Sequence, residues 1–429
     1  MILPCRIHRA RNCVDPLPLA LLFAASFLAL QPGHARGQST AGSTFEKAGV
    51  SWLPAIPIQI TAGVDAGYDD NATISSSGKG SLFSTENVVL TYDRPGERTQ
   101  FFVVGVGRFS QYFDVSGQNE TAGNVTLSLT HNFSSRLSFY ASVYGTYQNE
   151  PNFTSNVGPQ NVRTPYFDTV DIFALTYHWL LRFSTVTSYT FERVQYTSSS
   201  NGNSQNGVQN TLAQNRIQNT LAQNRIQNTF SEKFQFSLTT RTVLVGEYRF
   251  ETINYDTAPT DSTTNFVLAG VNHNLTEHLM VHVRGGESFR SLENEGNTAS
   301  PYFEGTLGYV RSNHSLNWTT SYGYESPTAT GVTTTKTWRT GLNLTYGLTS
   351  RISSTAGVYY HHDENEGPTS SGTSSMGSQD SLDLSLGLRY TINKHFAVHV
   401  DYGHTSISSL GSTPGYSRNR YFAGLTYTF

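Results

Sequence analysis

The last nine residues, Tyr421-Phe422-Ala423-Gly424-Leu425-Thr426-Tyr427-Thr428-Phe429, decide the reading of the whole chain. Successive side chains on a strand point to opposite faces, so Tyr421, Ala423, Leu425, Tyr427 and Phe429 share one face. Phe422, Gly424, Thr426 and Thr428 share the other. An apolar outer face over a smaller, more polar inner one predicts the closing strand of a β-barrel in lipid. That strand is expected to pair with the first one, near residues 58–68, because an open sheet edge cannot persist in hydrocarbon.

The same period of two runs upstream. Leu382, Leu384, Leu386, Leu388 and Tyr390 alternate with Asp383, Ser385, Gly387 and Arg389. After Asn393-Lys394-His395, Phe396, Val398, Val400 and Tyr402 alternate with Ala397, His399 and Asp401. Such segments of about ten residues recur from residue 56 onward, separated alternately by short turns and by longer Ser-, Gly-, Asn- and Thr-rich stretches. Short turns are expected near residues 94–97, 134–135, 179–181, 239–241, 276–278, 312–314, 349–351 and 393–395. Long loops are expected at 117–122, 150–164, 197–206, 256–263, 364–379 and 407–416. The fold class is therefore all-β: a transmembrane antiparallel up-and-down β-barrel of about eighteen strands, with sixteen as the alternative. Both termini fall on the short-turn side, which requires an even count.

Composition agrees. Charged residues make up 14%, against roughly 25% in an ordinary soluble domain, yet the mean hydropathy is only −0.36. Neutral polar groups and Tyr have replaced charge, as suits a wall with one face in lipid and the other in water. The 24 Tyr and 25 Phe cluster near segment ends, for example Tyr68, Tyr346, Tyr390 and Tyr402, where aromatic girdles meet the lipid boundaries. A soluble β-sandwich would need charged outer faces, which the second face lacks.

The N-terminus reads as a secretory signal. Arg6, Arg9 and Arg11 precede an apolar run over residues 17–30, and Gly33-His34-Ala35 offers small residues for cleavage. The expected domains are a signal peptide at 1–35, a periplasmic lead-in at 36–55, and an outer-membrane barrel at 56–429. Both cysteines, Cys5 and Cys13, fall in the removed part, which excludes disulfides and thiolate chemistry from the mature chain. Removing residues 1–35 takes three Arg and Asp15, leaving 25 bases against 30 acids from 28 and 31. No basic patch points to nucleic acid.

One nonapeptide is duplicated: QNTLAQNRI at 209–217 returns at 218–226, and a third copy begins at Gln227-Asn228-Thr229. An odd-length insertion inside a strand would turn every following side chain to the other face, so the repeat belongs in a loop or a protruding strand end.

Tyr421, Ala423, Leu425, Tyr427 and Phe429 have the form of a C-terminal assembly signal read by the barrel-assembly machinery. Gly67-Tyr68-Asp69-Asp70-Asn71, the stretch RFSTVTSYT at 182–190 and the closing strand at 420–429 resemble the porin 2 family of bacterial outer-membrane β-barrel proteins. The resemblance implies a barrel in outer-membrane lipid and a pore without an agreed substrate. The duplicated nonapeptide departs from it.

By parity, Glu247, Arg249, Arg284, Asp383, Arg389, His399 and Asp401 are candidate pore-lining residues, and opposed rows of such charges screen solutes by a transverse field. Solvated ion pairs bracing the inner wall use the same groups. Asp69-Asp70 and His361-His362-Asp363-Glu364 together resemble the paired carboxylates and His–Asp dyad of a rim hydrolase, or the ligands of a divalent cation. Rims are normally polar, and neither catalytic residues, nor a metal site, nor a cofactor is expected. The expected activity is passive passage of small hydrophilic solutes or secreted saccharide. A structural or adhesive surface barrel is the alternative and an outer-membrane hydrolase a remote one. A homotrimer suits such barrels, although no residue pattern marks its interface.

Overall fold

The computed structural model describes residues 58–150, 164–197, 224–256, 261–293, 296–326, 332–369, 372–410 and 414–429. The expected signal peptide and lead-in lie outside the described residues.

Eighteen strands follow one another. They are β1 (Ile58–Asp69), β2 (Ser81–Arg94), β3 (Thr99–Tyr112), β4 (Glu120–Asn132), β5 (Leu137–Gln148) and β6 (Tyr166–His178). Next come β7 (Phe183–Tyr196), β8 (Arg225–Ser237), β9 (Thr242–Tyr255), β10 (Ser262–Asn274), β11 (Leu279–Leu292) and β12 (Gly296–Arg311). The last six are β13 (His314–Glu325), β14 (Thr334–Gly347), β15 (Ile352–Thr369), β16 (Gly372–Thr391), β17 (Phe396–Ile407) and β18 (Tyr416–Thr428). Each pairs antiparallel with its chain neighbours, and β18 closes onto β1 with Val64 opposite Leu425 and Tyr68 opposite Tyr421. The fold is a closed 18-stranded antiparallel barrel.

Closure satisfies the edge, and one parity holds around the wall. Val64, Leu90, Phe173, Phe234, Val267, Val283, Leu386 and Val400 point outward and are exposed in the isolated chain. Their neighbours Asp65, Thr91, Ala174, Gln235, Phe266, Arg284 and Asp401 point inward and are buried. Rings at the outer margins, such as Tyr402 on Tyr421 (5.0 Å) and Phe396 on Tyr427 (4.8 Å), couple neighbouring strands through the aromatic belts.

The eight connections on one rim are no longer than four residues. Five of them share a device: a hydroxyl or amide oxygen accepts the backbone N–H two, and usually also three, residues on. Ser134, Thr239, Thr276, Thr349 and Asn393 are the acceptors. The opposite rim carries the longer loops.

One boundary differs from expectation. The Ser/Thr/Gly-rich run 364–379 is not a long loop, because β15 and β16 continue as a paired hairpin with only residues 370–371 between them. β15 and β16, at 18 and 20 residues, are longer than any other strand, and their Ser-, Thr- and Gly-rich ends carry no apolar alternation. A bulge at Asn365/Glu366 and Gly377 at φ +103° mark the change of regime. Smaller shifts place Glu120 in β4, Ser262 and Thr263 in β10, and Ile407 and Tyr416 in β17 and β18. The second copy of the duplicated nonapeptide runs into β8, which opens on its Arg225 and Ile226; apart from Asn224, Arg225 and Ile226 both copies lie outside the described residues.

Candidate functional site

The inward parity gathers charge into clusters, among them the Arg225–Glu192 and Arg339–Glu325 pairs and three larger networks. The first spans β8 to β12. Arg284 Nη1 donates to Glu247 (2.9 Å) and to Glu304 (2.8 Å). Arg249 donates through Nε to Glu247 (3.1 Å), through Nη1 to the Tyr302 hydroxyl (3.1 Å) and through Nη2 to Glu304 (3.3 Å). Tyr302 donates to Glu304 (2.7 Å), Ser231 to Glu247 (2.8 Å), and Lys233 Nζ stands 3.9 Å from Glu247. The Phe266 and Tyr302 rings each lie 5.4 Å from the Arg249 guanidinium carbon, so the cation is stacked as well as paired.

The second network crosses the closing seam. His399 Nε2 lies 2.9 Å from Asp65 Oδ1 and 3.6 Å from Asp401 Oδ2. Asn87 donates to the other Asp65 oxygen (3.2 Å), and Arg389 Nη2 donates to the Thr426 hydroxyl (3.2 Å).

Both networks bridge a strand by the same means. Arg284 reaches Glu247 across β10, and a Cβ on Gly270 would meet Arg284 Cγ at 2.8 Å and the Val283 carbonyl at 2.1 Å. Asp65 reaches His399 across β18, and a Cβ on Gly424 would fall 1.9 Å from Asp65 Oδ1. Close side-chain approach over a strand requires glycine there.

The third network sits at the long-loop end. Arg418 Nε straddles both Asp69 oxygens (3.1 and 3.0 Å) and its Nη2 donates to Oδ2 (2.6 Å). The same guanidinium bonds Glu150, which follows β5 and lies five strands away around the wall. Tyr112 donates to Asp69 (3.2 Å), and Arg108 pairs with Glu120 at 2.7 Å. Beside them the β1–β2 connection folds inward. Ile74, at φ +49°, packs on Ile407, Tyr416 and Tyr359, while Ala72 joins Phe83 and Tyr112 against Val115 and Phe422. Asn71 holds this loop by donating to Ser75 O (2.8 Å) and Ser417 O (2.9 Å).

The sequence-predicted residues fall accordingly. Glu247, Arg249 and Arg284 meet in one network; Arg389, His399 and Asp401 gather at the seam. Asp383 stands apart, accepting from Thr405 (2.8 Å). Lys233, Tyr302, Glu304, Asp65 and Arg418 were missed, although the parity rule alone places all five inward. The His361–Glu364 run does not form one site. His361 and Asp363 are buried inside, where Thr337 donates to Asp363 (2.7 Å), while His362 points outward to Asp380 (2.8 Å) beside Tyr360. Asp70 is occupied by the backbone and side-chain amides of Asn419, both at 2.6 Å. Among the described residues no three His, Cys, Asp or Glu side chains are grouped to hold a metal ion.

Exposure differs along the inner wall. Inner residues of the long-loop half, such as Asp69, Glu120, Asp168, Glu192, Arg225 and Arg290, are buried. In the short-turn half exposure is mixed: Gln100, Phe102, Asn317 and Asn343 are exposed, while Thr91, Ser184, Gln235, Ala397 and Thr426 are buried.

Residues 282–429, about a third of the chain, match the family model of the outer membrane protein beta-barrel domain. The chain fits a bacterial outer-membrane β-barrel. No curated protein matches it. Among solved structures it resembles the siderophore receptor PirA from Pseudomonas aeruginosa at 9% identity and TM-score 0.39, covering 87% of this chain and 80% of that one. The copper transporter OprC shows 11% and 0.41 over the same shares. Acinetobacter baumannii OccAB4 shows 12% and 0.36, with 87% and 98% covered. Values this low carry nothing about cargo.

Proposed function

We propose that the barrel is a passive outer-membrane channel for small hydrophilic solutes, secreted saccharide included, with its narrow part in the long-loop half. The observation that carries this is the inner wall, which places polar or charged side chains on every strand and exposes some of them, Gln100, Asn317 and Asn343, in its short-turn half. The pore-lining role of Glu247, Arg249, Arg284, Asp383, Arg389, His399 and Asp401, and the likeness to porin 2, belong to this proposal. So do assembly through the Tyr421-to-Phe429 signal and association as a homotrimer.

A second reading, a structural surface barrel without an open pore, draws on the cross-barrel contact of Arg418 with Glu150 and on the inward loop carrying Ile74. Planar-bilayer recordings decide between them. Defined conductance steps from the purified full chain, enlarged when residues 72–79 are replaced by a short Gly-Ser link, support the channel. Silence from both proteins removes it and leaves the structural reading.

A further inference from the structure

Each short turn ends at one equivalent place. The residue there accepts, through its backbone carbonyl, the N–H at the end of the next strand but one. The eight pairs are Arg98 with Asn132, Arg136 with His178, Arg182 with Ser237, Arg241 with Asn274, His278 with Val310, Asn313 with Gly347, Arg351 with Thr391 and His395 with Thr428. All eight bonds measure 2.8–3.0 Å. The bond continues the ladder by one residue, so the barrel's alternation still applies at these places, and continuing each register puts all eight opposite inward-facing positions.

The occupants are five arginines, two histidines and one asparagine. Arg98, Arg136, Arg182, Arg241 and Arg351 are exposed, and none forms an ion pair among the described residues. Nearby acids at this rim are Asp93, Glu97 and Glu277, while Arg94, Arg311 and Lys394 add further cations. The first residue of six turns shows the opposite character. Phe133, Trp179, Leu238, Leu275, Leu348 and Ile392 are exposed on the outward parity, so lipid-facing anchors and inward bases recur in the same short turns. Trp179 lies back on the outer wall, donating to Thr185 (3.1 Å) and meeting Tyr177 edge-on at 4.6 Å.

We infer that the short-turn mouth is an anion-collecting ring, and that the solutes this barrel prefers are small hydrophilic anions. This rests on the channel reading above. Arginine stays charged at any physiological pH, so the ring is permanent, and unpaired cations around a mouth raise the local concentration of anions. Rings of Arg or Lys favour anions in pores generally.

The test uses the full chain in planar bilayers under a potassium chloride gradient. The reversal potential is expected to report chloride permeating at least about threefold better than potassium near 0.1 M salt. It is expected to fall toward the bulk ratio at 1 M, where the screening length drops from ~10 Å to ~3 Å. Replacing the five arginines by glutamine abolishes the preference without removing conductance. Conductance that is cation-selective, or an anion preference unchanged in the variant, overturns the inference while leaving the channel. Isothermal titration of inorganic triphosphate onto the detergent-solubilised barrel separates the remaining cases. Binding without conductance keeps the ring and removes the channel; neither binding nor conductance removes both. If the fivefold variant fails heat-modifiable migration as a folded barrel, Arg182→Gln with Arg241→Gln gives a smaller shift of the same sign, and no shift overturns the ring.

Discussion

The two ends of the barrel hold charge in opposite ways. At the long-loop end Asp69, Arg418, Glu120 and Arg108 are packed into ion pairs with the inturned loop beside them. At the short-turn end Arg98, Arg136, Arg182, Arg241 and Arg351 stand in water and form no ion pair among the described residues. Burial explains the contrast. A charge removed from water needs a geometrically matched partner, whereas a hydrated one needs none and gains little from having one. The buried end can therefore govern stability and width, and the exposed end can shape the field at little folding cost.

The comparison can be broken first where burial is deepest. Arg418→Ala strands Asp69 and Glu150 without their shared cation and is expected to destabilise the folded barrel by about 3–5 kcal/mol. Urea unfolding in vesicles reads this; a loss under 1 kcal/mol would mean that the cluster is hydrated after all. Gly424→Val comes next, because its side chain would occupy the space through which Asp65 meets His399. A cost of about 1–3 kcal/mol is expected. Gly107→Val, where a Cβ meets nothing within 4 Å, serves as the control and is expected to be near neutral.

Smaller effects belong to the other rim. Thr349→Ala removes the oxygen that receives the Arg351 and Ile352 amides and is expected to cost ~1 kcal/mol, seen as a lower urea midpoint. Arg351→Gln, two residues on, is expected to stay within about 0.5 kcal/mol of the parent while shifting the reversal potential. Equal destabilisation by Arg351→Gln and Arg418→Ala would erase the distinction between the ends.

Much of the barrel could be read from the chain. Leu382 to Tyr390 and Phe396 to Tyr402 announce strands and faces because lipid on one side and water on the other impose a period of two. The hairpin at 364–379 could not be read this way, since its Ser-, Thr- and Gly-rich residues carry no apolar alternation and only their pairing shows them to be strands. The site was half legible. Parity placed Glu247, Arg249 and Arg284 inward, yet their union with Glu304 depends on which strands adjoin and on the absence of a side chain at Gly270. The arginines ending the short turns were visible throughout, but only the ladder bonds show them to be equivalent.

By itself, then, the sequence determined that a two-faced wall forms, which residues face lipid, and that Tyr421 to Phe429 must meet the strand ending at Tyr68. These follow from local alternation and from the cost of an open edge. Only the tertiary structure decided that Arg284 crosses β10 over Gly270, that Asp65 crosses β18 over Gly424, and that Ile74 turns inward. Such contacts join residues tens to hundreds of positions apart, and strand register and curvature, rather than local pattern, bring them within bonding distance.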